Sequence, residues 1–252
     1  MCAPHGLIAI DRRVTPHRAR WHRAAALALA TALATALATA GSAVTAASAV
    51  TAAPAVTAAS TTAPRRADFG RLVDVSADAR RVANWVAATQ DNGARDFVVV
   101  DKRAARVYVF DQLARMQAHA PALLGAARGD LTVPGIGDRP MAQVRPEERT
   151  TPAGRFVAEP GINTQGEDVV WVDYDAAVSM HRVRTAKAAD RRLARLASPG
   201  IADNRISYGC INLPVQFYET QVRSRVHGGR GAVVYVLPEV LQLRQVFALP
   251  AV

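Results

Sequence analysis

Ile206-Ser207-Tyr208-Gly209-Cys210-Ile211-Asn212-Leu213-Pro214 is the stretch from which the rest of the chain is read. A glycine stands directly before a thiol, a serine lies three residues ahead of it, and Pro214 suits the start of a helix. Glycine lets the backbone turn sharply and lets a second molecule come close to the sulfur. Backbone N–H groups around Gly209 and Cys210 are expected to point together at a developing oxyanion. A lone thiol has three explanations: a buried apolar residue, an intermolecular bridge, or a nucleophile. Cys210 is one of two cysteines among 252 residues, and the other is Cys2. That count excludes a disulfide scaffold and a thiolate-rich metal cage.

Outward from this stretch, the chain reads as one mainly β domain with a few helices. Ser76 suits the cap of a helix through Val82, Trp85 and Val86 to about Gln90, stopped by Asn92-Gly93. Phe97 to Asp101 and Arg106 to Phe110 alternate as a hairpin should. Leu123 to Ala127 is a possible third strand. Gly129 to Thr150, rich in Gly, Pro and charge, reads as a long surface loop. Thr151-Pro152-Ala153-Gly154-Arg155-Phe156 is a turn followed by a strand. Val169 to Val172 and Ala177 to Val183 are further strands. Thr185 to Ala197 reads as a basic helix with Leu193 and Leu196 on its apolar side. Val215 to Arg225 is a second helix, and Ala232 to Leu237 a closing strand. Many short strands with few helices predict a β-sandwich or barrel-like core, with Cys210 in a loop leading into a helix.

A thiol nucleophile needs a base. Only His119, His181 and His227 lie beyond residue 64. His119 sits in a polar segment. His227 sits in the Gly-rich turn Val226-His227-Gly228-Gly229, which holds a side chain poorly. His181 ends a strand, Val178-Ser179-Met180-His181, and is the better-held candidate. A hydrogen-bonded histidine at a sheet rim is the other reading of it.

A strand ending in His, followed by Ser-x-Gly-Cys, resembles the L,D-transpeptidase (YkuD) catalytic domain. Thr151-Pro152-Ala153-Gly154-Arg155-Phe156 is similar to that family's Thr-Pro-x-Gly-x-Phe segment. The resemblance covers roughly 97–237. Three departures stand out. Tyr208 replaces a usual His, and Arg182 replaces the small residue that often follows the catalytic His. The interval from His181 to Cys210 is also longer than the family leads one to expect. The extra residues are the basic helix, expected as a wall or lid over the cleft. Asn212 stands where Arg is commoner.

The resemblance implies Cys210 as nucleophile and His181 as base. It implies Gly209, Tyr208 and Ser207 as oxyanion or orienting groups, with Ser207 a partner for the imidazole. Asn212 and Arg182 become substrate-binding residues. The implied reaction is acyl transfer through a thioester. The thiolate attacks the amide after the L-centre of a diaminopimelate side arm in a peptidoglycan stem peptide, and D-alanine leaves. A second stem amine then gives a 3–3 cross-link, or water gives L,D-carboxypeptidase activity. No metal and no organic cofactor is needed. The partners implied are peptidoglycan stem peptides and carbapenem-type inhibitors, with no nucleic acid. A peptidoglycan-binding module without turnover and a basic envelope protein with a structural Cys210 are the other classes considered.

The start of the chain reads as an address. Arg12 to Arg23 is basic, and Ala24 to Ala40 is an uncharged Ala/Leu run. That order is a secretory signal, with small-x-small cleavage sites at Ala38-Thr39-Ala40 and Ala47-Ser48-Ala49. The expected organisation is a signal peptide at 1–40, an Ala/Thr/Pro linker at 41–66 and an N-terminal helical segment at 67–95. The catalytic domain follows at 96–240, and then a tail at 241–252. The expected location is the periplasm or cell envelope, with no integral membrane domain once the signal is removed. The formal net charge of +10 suits an anionic wall polymer, an anionic lipid surface or nucleic acid, and charge alone favours none of them over an ordinary soluble protein.

Overall fold

The computed structural model describes residues 65–72 and 74–250. The expected signal peptide and linker residues 41–64 lie outside them. Among the described residues, ten strands and a handful of helices make the fold mainly β. Eight strands form one sheet in the order β3-β2-β1-β10-β5-β6-β7-β9. These are β1 (Asp96–Asp101), β2 (Arg106–Phe110), β3 (Met116–Pro121), β5 (Gly154–Ile162), β6 (Asp168–Asp173), β7 (Val178–Arg182), β9 (Ile211–Leu213) and β10 (Ala232–Val236). The remaining two, β4 (Leu124–Gly125) and β8 (Arg205–Ser207), pair with each other in parallel. Of the two architectures expected, the barrel-like one is present. The sheet curls until Leu123 exchanges two backbone hydrogen bonds, of 2.9 and 2.8 Å, with Asn212 on the far edge strand.

Period-two alternation builds two cores on the two faces of this sheet. Val98, Val100, Val107, Val109, Val234 and Val236 fill the enclosed face, together with Val170, Met180, Ile211 and Leu213. Phe97, Val99, Tyr108, Phe110, Val233 and Tyr235 face the other way, against Val82 and Val86 of helix α1 (Ala77–Thr89). Phe97 and Phe110 stack with centroids 4.6 Å apart. Helix α1 begins where expected: Ser76 Oγ accepts the Ala79 N–H at 3.0 Å and donates to Asp101 at 2.6 Å. Gln90, in the left-handed conformation, ends it. The closing strand β10 is not a rim element. It lies in the middle of the sheet, parallel to β1 and antiparallel to β5.

The N-terminal helical segment expected at 67–95 holds helix α1 and shares one core with the sheet. Several expectations are corrected. Residues 241–250 are no tail, because Leu243 and Phe247 are buried in that same core. The third strand lies at Met116–Pro121, with only the two-residue β4 near the expected place. Met116, Ala118 and Ala120 do alternate with Gln117 and His119, but two of the three inward residues are alanines, which carry little apolar signal on a half-exposed edge strand. The basic helix is shorter than expected. A 3₁₀ turn at Ala188–Asp190 precedes a six-residue helix, α2 (Arg192–Ala197), in which Leu196 is buried but Leu193 is exposed. The helix after Pro214 runs over 215–227, with π geometry at Tyr218–Arg223.

The long loop between β4 and β5 is held by ion pairs. Glu148 is buried. Its carboxylate accepts the Arg145 N–H at 2.9 Å, the Arg145 guanidinium at 3.0 Å and Arg139 at 3.2 Å. The bonds from Arg145, with Arg139 adding to them, lower its pKa from 4.5 to about 2. A depressed carboxylate contributes stability above its unfolded pKa and loses it as pH falls toward the folded value. The wild-type thermal midpoint is therefore expected to fall more steeply between pH 4.5 and pH 2 than that of Glu148→Gln. Parallel curves over this window for the two proteins would refute the anchor.

Candidate active site

Strands β7 and β9 run side by side in parallel, with Met180 opposite Ile211, His181 opposite Asn212 and Arg182 opposite Leu213. Side chains two apart on a strand share a face. Ser179 and His181 therefore project to the same side as Cys210 and Asn212, and all four are buried. Cys210, His181 and Asn212 lie in the lining of one cavity of about 350 Å³. Ser207, Tyr208, Met141 and Gln165 contribute to the same lining.

The imidazole is held from its Nδ1 side. Nδ1–H donates to the main-chain carbonyl of Arg182 at 2.8 Å. A carbonyl only accepts, so this bond places the proton of the neutral ring on Nδ1 and leaves the lone pair on Nε2. Ser207 does not orient the ring. Its hydroxyl donates to the Cys210 carbonyl at 2.6 Å and accepts the Gly209 N–H at 3.1 Å. It braces the turn at Gly209 and Cys210 instead. The expected pairing of two loop N–H groups on an oxyanion is thereby reduced, since the Gly209 N–H is engaged by Ser207. The Cys210 sulfur lies 3.5 Å from the Ala177 carbonyl oxygen and 3.6 Å from Ser179 Oγ.

Asn212 is oriented from outside the strand. Arg192 donates to Asn212 Oδ1 at 2.6 Å, which fixes which end of the amide carries oxygen. The NH₂ end then faces His181 Nε2 at 3.4 Å and the Cys210 carbonyl at 3.3 Å. Arg192 is itself held by Asp190 at 3.0 Å. The segment between β7 and β8 thus forms one wall of the cavity, through Arg184, Ala186, Lys187, Asp190 and Arg192.

Arg182, expected to bind substrate, points the other way. It follows His181 on the strand and so occupies the opposite face. There it pairs with Asp168 at 2.9 Å and with Glu219 at 2.5 Å, its guanidinium 4.8 Å from the centre of the Tyr218 ring. Only its carbonyl serves the site. Tyr208 lines the cavity and carries the Arg149 guanidinium over its ring at 4.1 Å. The other two histidines face elsewhere. His119 on β3 is exposed and lies against Arg106 at 3.2 Å, while His227 Nε2 meets the Val169 carbonyl at 3.1 Å.

Sequence reading missed three contributors. Ser179 was visible as the residue two before His181. Arg192 has no local signal, because its contact depends on how the segment between β7 and β8 folds back. Thr151 was read only as part of a turn. It is fully buried, and its hydroxyl donates to the Gly209 carbonyl at 2.7 Å.

Among the described residues, no group of three or more His, Cys, Asp or Glu side chains is arranged to hold a metal ion. Among the same residues, no helix is long and apolar enough to cross a membrane.

No family model matches the chain, and neither does any curated protein. Solved structures do match. An L,D-transpeptidase of Enterococcus faecium is 15% identical, over 57% of this chain and 50% of that one, with a TM-score of 0.31. An L,D-transpeptidase from Mycobacterium smegmatis is 18% identical, over 57% and 58%, with a TM-score of 0.31. The helical cell shape determining protein Pgp2 from Campylobacter jejuni is 13% identical, over 63% and 56%, with a TM-score of 0.36. The chain spans 50% to 58% of the length of these three structures.

Proposed function

We propose that the chain is a cysteine-dependent acyltransferase of the L,D-transpeptidase type, acting on peptidoglycan stem peptides in the cell envelope. The observation that carries this reading is the β7–β9 register. It sets a thiol and an imidazole on one face, at one cavity, with the imidazole tied through Nδ1 and Nε2 left as the basic nitrogen.

A free thiol of pKa about 8.5 is mostly protonated at neutral pH. In the proposed reaction His181 Nε2 takes the thiol proton as Cys210 Sγ bonds to the substrate carbonyl carbon. The carbonyl electrons move onto oxygen. They return as the C–N bond breaks, and the leaving amine takes the proton from His181. What remains is a thioester on Cys210. A second stem amine or a water molecule then resolves it with the same proton transfers reversed. The long interval from His181 to Cys210 in the sequence is compatible with this reading, since the pairing of β7 with β9 leaves both residues in the lining of one cavity.

Intact mass spectrometry of the purified protein tests this. Incubation with a tetrapeptide stem is expected to leave the stem without its terminal residue bound to Cys210. A carbapenem is expected to leave one ring-opened adduct on the same residue. Absence of an adduct with both compounds would reject the catalytic reading and leave a binding module. Product analysis then separates the acceptors, a cross-linked dimer marking an amine and a tripeptide marking water.

A further inference from the structure

The peptide between Gly209 and Cys210 is held from beneath by groups with no part in proton transfer. Thr151 Oγ1 accepts the Gly125 N–H at 2.9 Å. Its own proton is therefore directed to its other partner, the Gly209 carbonyl at 2.7 Å. Thr151 is held in turn. Its carbonyl accepts from Lys102 Nζ at 2.7 Å, and the same ammonium donates to the Gly129 carbonyl at 2.5 Å and to Asp130 at 2.7 Å. Three protons meet three acceptors, so the buried ammonium is fully satisfied. Asp130 is fixed as well, by the N–H groups of Glu239, Val240 and Leu241 at 2.8, 2.8 and 2.6 Å.

Gly209 fits no other residue. Its φ is +131°, and a Cβ there would lie 2.7 Å from the Thr150 carbonyl oxygen. The backbone following it is tied too, because the Cys210 carbonyl accepts from Ser207 and Asn212. In a trans peptide the C=O and N–H point in opposite directions. Drawing the Gly209 carbonyl down onto Thr151 therefore aims the Cys210 N–H away from Thr151.

We infer that Thr151 is a positioning residue for acylation: its hydroxyl sets the Gly209–Cys210 peptide plane, and thereby the direction of the Cys210 N–H toward the oxyanion. The inference rests on the acyl-transfer reading above. It assigns Thr151 no contact with substrate and no effect on the thiol's proton.

Two rates separate this role from general structural support. Alkylation by iodoacetamide displaces iodide and forms no oxyanion, whereas acylation by a carbapenem forms one. Both are measured by intact mass on the full chain, for wild type, Thr151→Val and Thr151→Ser, across a pH series. Thr151→Val is expected to slow acylation about 10²-fold, the scale of a small misplacement at a reacting centre, with alkylation rate and thiol pKa unchanged. Thr151→Ser keeps the hydroxyl and is expected to acylate like wild type. Equal acylation in Thr151→Val overturns the inference, and so does a parallel fall in alkylation. If Thr151→Val shows no cooperative melt, Thr151→Ser decides: wild-type acylation supports the role of the hydroxyl, and slowed acylation with normal alkylation overturns it. A wild-type protein that is alkylated but never acylated brings down the acyl-transfer reading itself, which the variants alone do not do.

Discussion

Cys210→Ala is expected to abolish acylation by stem peptide and carbapenem, while its thermal midpoint stays within a few degrees of wild type. Removing a nucleophile is felt on the scale of roughly 10⁶-fold in turnover. The cost to the fold is small because the thiol's contacts with Ala177 and Ser179, at 3.5 and 3.6 Å, are long and weak. Cys210→Ser tests the chemistry more sharply. It keeps a hydrogen-bonding group of similar size, but His181 then faces an alcohol whose proton is far harder to remove, so the variant is expected to be nearly inactive. The checks are intact mass after incubation with carbapenem and a melting curve for each variant. Turnover retained by either variant removes Cys210 from the mechanism.

The second large effect belongs to the imidazole. His181→Ala is expected to raise the apparent pKa of Cys210 toward the free value of about 8.5 and to slow acylation roughly 10²–10⁴-fold. His119→Ala and His227→Ala should leave both quantities near wild type, since neither ring lies in the cavity lining. The pH dependence of iodoacetamide labelling reads the thiol in all four proteins, and tetrapeptide turnover reads the reaction. A shift in thiol pKa on replacing His227 but not His181 would mean that the base has been misassigned.

The sequence disclosed those parts of the molecule whose signal is local. The β1–β2 hairpin was visible because Val98, Val100, Val107 and Val109 alternate, and the packing uses that alternation directly. Ser76 announced α1 because a cap acts on the residues next to it. Cys210 and His181 were visible as residue types with few competitors. What escaped depends on partners distant in the chain. β8 and β9 have three residues each, too few for a period, and form only because β4 and β7 lie beside them. Arg182 was misassigned although the expected strand Ala177 to Val183 already contained it, because its place beside His181 was read without the alternation that turns neighbouring residues to opposite faces. The tail escaped because Leu243 and Phe247 are buried by a core whose other residues lie far earlier in the chain.

The parallel pairing of β7 with β9 also separates two quantities that are easily confused. Distance along the chain between His181 and Cys210 is one; distance in space is the other. Strand register sets the second, and the connection over 183–210, which carries β8, has to leave β7 and return beside it as β9. Loop closure depends weakly on length, each doubling costing about 0.6 kcal/mol. That connection is accordingly open to change at its exposed positions, while Val183, Leu196 and the bond from Arg192 to Asn212 tie it down. Changes there reshape one wall of the cavity, while His181 and Cys210 keep the places that the β7–β9 pairing gives them.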